Sequence, residues 1–375
     1  VRIAIASTGR FHVLDLAREL RARGHEVRFH AHLPPARAEA YGLPAGAVRD
    51  LSMAAAPWLA WRRYAPGMAP ALQRRLYFRA LNRGVIRKLD PCDVFVCMSG
   101  VYLEAAEYAR NAFGAKIFLE RGSTHVDAQH ELIGSDLERL PLAAALSRER
   151  ELAGYQLADR IMLASRHVVD SFLRDPAAHA KAVMNPYGVD LDRFPLRAYT
   201  PPLRRRLLFV GAWSRRKGVD FLIETVRRLP GAVLTHIGAI ADMPFPGDDP
   251  QFVHVDPVDQ ARLPGFYHDA DVIVMMSREE GLALVQLQAL ACGLPLVAST
   301  RTGAASLVEV DPTLADRVLI HDVGDLGKAV ADIEALFGKL AQGALAPIRP
   351  EARARLSWGG YGARYERAIL EALAK

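Results

Sequence analysis

Glu280 and Gln288 stand eight positions apart in the run Arg278 to Ala298, one at the mouth of an expected helix and the other about 12 Å further along its axis. From Leu282 to Ala291 the residues are good helix formers, Cys292-Gly293 stops them, and Pro295 opens an apolar strand. The apolar run Asp271 to Met275 reads as a buried parallel strand, and Ser277 to Gly281 as the polar turn at its carboxyl end, where open α/β sheets bind ligands. Free N–H groups and the positive end of a helix dipole suit a phosphate at Gly281, Leu282, Ala283 and Leu284. The span from Glu280 to Gln288 fits a nucleotide-sugar better than a single small anion. A second chemical stretch, Gly211 to Gly218, carries Arg215, Arg216 and Lys217 between a strand and a helix. A forked donor beside a compact ammonium neutralises a diphosphate well.

Elements of both halves alternate so as to place such loops at one sheet edge. Val1 to Ala6 is a strand, Val13, Leu14, Leu16, Ala17 and Leu20 mark one helix face ending at Gly24, and Glu26 to His30 is the next strand, a βαβ opening that predicts a right-handed parallel sheet. Gly9, Arg10 and His12 occupy the first βα loop, which lacks the G-x-G-x-x-G dinucleotide fingerprint. Strand Asp93 to Met98, a helix from about Val101 to Phe113 and strand Lys116 to Leu119 follow. The last runs into Glu120, Arg121 and His125, and the plain reading of Glu120 and Arg121 is that they pair with each other. Strand Arg160 to Ala164 ends at Ser165. In the second half, strand Leu207 to Val210 precedes the basic loop, a helix from Val219 to Leu229 follows it, and strands Val233 to Gly238 and Phe252 to Val255 flank a loop from Ala239 to Pro250.

The stretch E-G-L-A-L-V-Q-L-Q-A-L-A-C-G-L-P-L-V resembles the hallmark of glycosyltransferase family 4, in which two glutamates are separated by seven residues; here the second is Gln288. A-D-R-I-M-L-A-S, ending at Ser165, and N-P-Y-G-V-D-L-D-R-F, ending at Phe194, are similar to further segments of that family. The resemblance implies an α/β protein of GT-B fold: two Rossmann-like domains with parallel sheets facing across a cleft, and a C-terminal helix crossing back. Residues 1–195 would bind the acceptor, 196–350 the nucleotide-sugar, and 351–375 would form the returning helix. It also implies a retaining, metal-independent transfer from a UDP- or GDP-sugar to a saccharide or lipid-linked acceptor, in cell-surface polysaccharide (including lipopolysaccharide) or glycolipid biosynthesis. His125, Glu280 and Lys217 take the catalytic places. Gly9, Gly211, Arg215 or Arg216, and the Gly281 to Leu284 backbone face the donor, and Gln288 faces its ribose. Arg10, His12, Glu120 and Arg121 lie on the acceptor side. The family's usual arginine is Ala212, so Arg215 or Arg216 must replace it. The same two-domain fold keeps open a sugar-nucleotide epimerase or hydrolase, and the departures at Ala212 and Gln288 keep open a non-catalytic sugar-nucleotide-binding or partner-binding protein.

Composition bounds the rest. A length of 375 residues suggests two domains, and 51% hydrophobic with 24% charged residues describes a globular chain. No apolar run spans a bilayer, and Val1 to Ala6 followed by Ser-Thr-Gly-Arg is no signal-peptide pattern, so a cytoplasmic place is expected. Cys92, Cys97 and Cys292 match neither a disulfide framework nor a zinc pattern. Net charge of +6 favours anionic partners, but no nucleic-acid motif accompanies it. Asp190 and Asp192 form D-x-D, which we do not read as a metal site because no further ligand completes it. Residues 58–88 carry Trp58, Trp61, Tyr64 and a series of arginines without one acidic side chain. That composition suits peripheral contact with the anionic inner face of a membrane; its plain alternative is a solvated arginine face.

Overall fold

A computed structural model describes residues 1–54, 70–132, 141–198 and 203–374. Trp58, Trp61, Arg62, Arg63 and Tyr64, and the linker prolines Pro201 and Pro202, lie outside the described residues. The chain forms two compact units. One comprises 1–163, 171–185 and 361–375, the other 164–170 and 186–360.

In the first unit seven parallel strands are β1 (Arg2–Ser7), β2 (Glu26–Ala31), β3 (Val48–Asp50), β4 (Val94–Met98), β5 (Lys116–Arg121), β6 (Arg160–Leu163) and β7 (Ala182–Met184), ordered β3-β2-β1-β4-β5-β6-β7. The order reverses beside β1, so the ligand-binding switch point lies where β1 and β4 end. Helix Phe11–Ala22 buries the predicted face Val13, Leu14, Leu16, Ala17 and Leu20 against this sheet. The helix after β4 runs Leu103–Phe113, two residues later than the sequence suggests, and ends at Gly114 with φ +68°. The C-terminal segment is not one helix. It breaks between Pro350–Arg355 and Trp358–Leu373, where Ser357 bridges to Val189, and only the part from Tyr361 belongs to the first unit.

The second unit repeats the plan with β8 (Arg206–Val210), β9 (Val233–Ile237), β10 (Phe252–Val255), β11 (Val272–Met275), β12 (Leu296–Ser299) and β13 (Val318–His321), ordered β10-β9-β8-β11-β12-β13 and all parallel. Strands β11 and β12 are buried along their whole length, as continuous apolar runs in a sheet covered on both faces should be. This sheet reverses at β8, so its switch point joins the loops after β8 and β11. Those loops are the basic Gly211 to Gly218 stretch and the acidic Ser277 to Gly281 turn.

Candidate active site

The loop after β8 tightens into a 3₁₀ turn, Arg215–Lys217, and Gly218 closes it at φ +70° before helix Val219–Arg227. A side chain on Gly218 would overlap the Met276 carbonyl, so the basic turn rests directly on the end of β11. This contact brings charges together across 63 residues of sequence. Lys217 Nζ pairs with Glu280 Oε2. Arg216 Nη1 donates to the Glu279 carbonyl at 2.8 Å and reaches the Glu279 and Glu280 carboxylates at 3.3 and 3.6 Å. Arg278 binds Asp220 through both Nη atoms at 2.6 and 2.5 Å, and donates to the Arg215 carbonyl at 2.6 Å. The Arg215 side chain is exposed. Of the two arginine side chains, Arg216 is the one that joins the acidic turn.

The helix beyond the turn is Leu284–Ala291 rather than Leu282–Ala291, because Ala283 is extended at φ −74°, ψ 122° and serves as its N-cap. Gly293 at φ +85° ends it with the paired bonds of a Schellman motif, Leu294 N–H to the Ala289 carbonyl and Gly293 N–H to the Leu290 carbonyl, each 2.9 Å. At the other end the N–H groups of Gly281, Leu282, Ala283, Leu284 and Val285 make no hydrogen bond among the described residues. Five consecutive backbone donors stand at the positive end of a helix beside Lys217 and Arg216, an arrangement that suits an anion.

Residues 10–193 match the family model Glycosyltransferase Family 4, and residues 204–335 match Glycosyl transferases group 1. The chain belongs to glycosyltransferase family 4. Among curated relatives, D-inositol 3-phosphate glycosyltransferase 2 of Catenulispora acidiphila is 34% identical over 40% of this chain and 42% of its own length. The D-inositol 3-phosphate glycosyltransferase of Xylanimonas cellulosilytica is 30% identical over 48% and 53%. The chain thus spans about half the length of the curated relatives it matches. Among solved structures, sucrose-phosphate synthase from Thermosynechococcus elongatus superposes with a TM-score of 0.70 at 16% identity, covering 100% of this chain and 99% of that one. HepE of Anabaena in complex with UDP gives 0.64 at 13%, over 99% and 100%. The fold is GT-B.

Within this family 4 chain, the second marker position differs from a surface contact. Gln288 is buried, and its Oε1 accepts the Tyr267 hydroxyl at 2.9 Å. Gly211, at φ +150°, lies under a ring cluster built by the Ala239 to Pro250 loop: Phe245 packs on Trp213 and His236, and His236 Nε2 meets the Gly211 carbonyl at 2.9 Å.

In the first unit Gly9 and Arg10 follow β1, with Arg10 stacked 4.1 Å over the Tyr41 ring. Glu120 and Arg121 do not pair with each other, because neighbours on a strand face opposite sides. Glu120 binds His12 Nε2 at 2.8 Å, with the Tyr361 hydroxyl at 3.5 Å, while Arg121 binds Glu151 at 2.9 Å and the Thr124 carbonyl. His125 is buried between Tyr155 and Phe172, ring centroids 5.2 and 5.1 Å away. Its Nδ1 accepts the Asp127 N–H at 3.2 Å, so its proton sits on Nε2, which has no partner among the described residues. Burial pushes its pKa below the ordinary value and so favours the neutral ring. Phe11 is exposed at φ +23° directly beside Arg10, a backbone conformation that is uncommon for an aromatic residue.

Among the described residues, no group of three or more His, Cys, Asp and Glu side chains is placed to hold a metal ion, and no helix is long and apolar enough to cross a membrane. Helix Pro70–Lys88 carries the described part of the basic segment. Arg75 and Arg79 border a depression that Leu72, Leu76 and Leu103 line, and Glu104 and Glu149 share its wall.

Proposed function

We propose that this chain transfers a sugar, with retention and without a metal, from a UDP- or GDP-linked donor to a saccharide or lipid-linked acceptor. The observation that carries this is the Lys217–Glu280 pair set beside five unpartnered N–H groups at the switch point of the second sheet. As the bond to the anomeric carbon breaks, charge grows on the leaving phosphate, and preorganised cations and N–H dipoles lower that barrier most. A diphosphate would take Lys217 and Arg216 from the acidic turn, freeing Glu280 to hold sugar hydroxyls and stabilise positive charge in the ring. Attack then comes from the same face, assisted by the leaving phosphate, and His125 offers its Nε2–H on the acceptor side. Gln288 keeps a ribose role only by sharing its amide between Tyr267 and the diol. Family membership supports the reaction class, and HepE, solved with UDP, supports a nucleotide diphosphate. The D-inositol 3-phosphate glycosyltransferases among its relatives add D-inositol 3-phosphate as an acceptor to test. Work at the cytoplasmic face of a membrane, with residues 58–88 touching anionic lipid, fits a lipid-linked acceptor.

The test is incubation of the purified protein with a panel of UDP- and GDP-sugars, with and without saccharide, lipid-linked and inositol phosphate acceptors. Slow nucleotide release, accelerated by one acceptor, is expected. Free epimerised sugar would point to an epimerase instead, and tight binding without turnover to a non-catalytic protein. Lys217→Ala and Glu280→Ala should each lower turnover about 100-fold or more. Full turnover in either variant would remove the site assignment.

A further inference from the structure

Segment 164–170 precedes the last strand of the first sheet, yet it belongs to the second unit and grips the acidic turn. Ser165 Oγ lies 2.6 Å from the Gly281 carbonyl oxygen, His167 Nε2 lies 2.8 Å from the Glu280 carbonyl oxygen, and Ser165 Oγ meets His167 Nδ1 at 3.1 Å. Gly303 closes the same spot, since a side chain there would press on the Gly281 carbonyl and on Ser165. A trans peptide is planar, with its N–H opposed to its C=O. With two successive carbonyls drawn onto Ser165 and His167, the N–H groups of Gly281 and Leu282 are turned the other way. They are the first two of the five donors at the positive end of the helix.

Counting hydrogens exposes a shortage. Three contacts need three protons, the carbonyls supply none, the hydroxyl has one, and a neutral imidazole has one. An imidazolium completes the set: Nε2–H to the Glu280 carbonyl, Nδ1–H to Ser165 Oγ, and Oγ–H to the Gly281 carbonyl. In the neutral ring the Nδ1 lone pair faces Oγ. Either that contact is repulsive, or the hydroxyl turns to Nδ1 and lets go of Gly281.

We propose that Ser165 and His167 are positioning residues for the donor-phosphate site, and that a proton on His167 Nδ1 decides whether the Gly281 peptide is fully held. This rests on the donor-site reading above. The groups that act on the ring are Glu279 and Asp170, which favour the cation, and Arg301, which opposes it; Arg166 is engaged by Glu309 at 3.3 Å. Burial outweighs the rest and pushes the His167 pKa below its ordinary value, so the clasp is incomplete at neutral pH and closes on the acid side.

Calorimetry with UDP-glucose and GDP-mannose from pH 5 to 8 reads the effect, because neither diphosphate diester titrates there. Wild-type affinity should rise about three- to tenfold toward acid, the worth of one net hydrogen bond. His167→Gln keeps a donor for the Glu280 carbonyl but cannot titrate, and Ser165→Ala removes the acceptor; both should give flat profiles. A pH profile that His167→Gln shares with the wild type overturns the proposal. A second arm needs no turnover: the His167 ring followed by NMR. Its pKa should fall in Ser165→Ala, and the Gly281 and Leu282 amide signals should follow its titration in the wild type alone. Unchanged titration in Ser165→Ala overturns the clasp. Coupled titration with no nucleotide-sugar bound at any pH would instead remove the donor-site reading.

Discussion

Arg215 and Arg216 are adjacent and identical, yet they do different things. Arg215 contributes backbone, its N–H donating to Asp242 Oδ1 at 2.8 Å and its carbonyl accepting from Arg278, while its side chain is exposed. Arg216 puts its guanidinium on Glu279 and Glu280, beside Lys217. The arginine that resemblance leads one to expect at Ala212 is therefore replaced, in our reading, by Arg216. Charge-assisted hydrogen bonds to phosphate are worth about 1.5–3 kcal/mol, or roughly 10- to 100-fold in affinity. Arg216→Ala should weaken UDP-glucose or GDP-mannose binding by that factor, and Arg215→Ala should change it less than about threefold. Equal losses from the two, measured by calorimetry at one salt concentration, would mean that general positive charge and not a specific contact binds the donor.

At the scale of elements, the contact between the basic turn and β11 depends on one missing side chain. Gly218 needs a left-handed φ of +70°, and a Cβ would meet the Met276 carbonyl, so two penalties fall on one residue. Gly218→Ala should cost at least about 2 kcal/mol in the denaturation midpoint and also displace Lys217 from Glu280. Loss of stability with donor affinity intact would show that the turn can shift without moving its lysine. The glycine itself, the strands on either side and the helix stop at Gly293 were legible in the sequence, because each is a local pattern of apolar run, turn residue and helix former. The His12–Glu120 pair, 108 residues apart, was not, nor was the grip of Ser165 on Gly281, 116 residues apart. Such contacts are set by strand order, and nothing in a local spacing encodes them. The helix starts two residues later than propensity predicts for a related reason: Leu282 and Ala283 are good helix formers, but with the carbonyls of Glu280 and Gly281 held, Ala283 is extended and the helix begins at Leu284.

For the molecule as a whole, the dependence of stability on pH is carried partly by a residue far from the proposed chemistry. His30 lies within β2, fully buried, and neither ring nitrogen has a partner among the described residues. Burial, reinforced by Arg49, pushes its pKa down to about 4. In the unfolded chain it would titrate near 6.5. Above that value the ring is neutral in both states and adds no pH dependence. Between about 6.5 and 4 the unfolded chain takes up a proton that the folded one refuses, so stability falls as the pH drops, by about 3 kcal/mol in total. The sign is that of a depressed histidine: stability is present at neutral pH and lost on acidification. Leucine has a similar volume and no proton to gain, so His30→Leu should leave stability at pH 7.5 equal or higher and remove most of this acid slope. Denaturant midpoints for the first unit at pH 7.5, 6 and 5, followed through amides of β1 and β2, measure both. A slope as steep in His30→Leu as in the wild type would assign acid sensitivity to other groups.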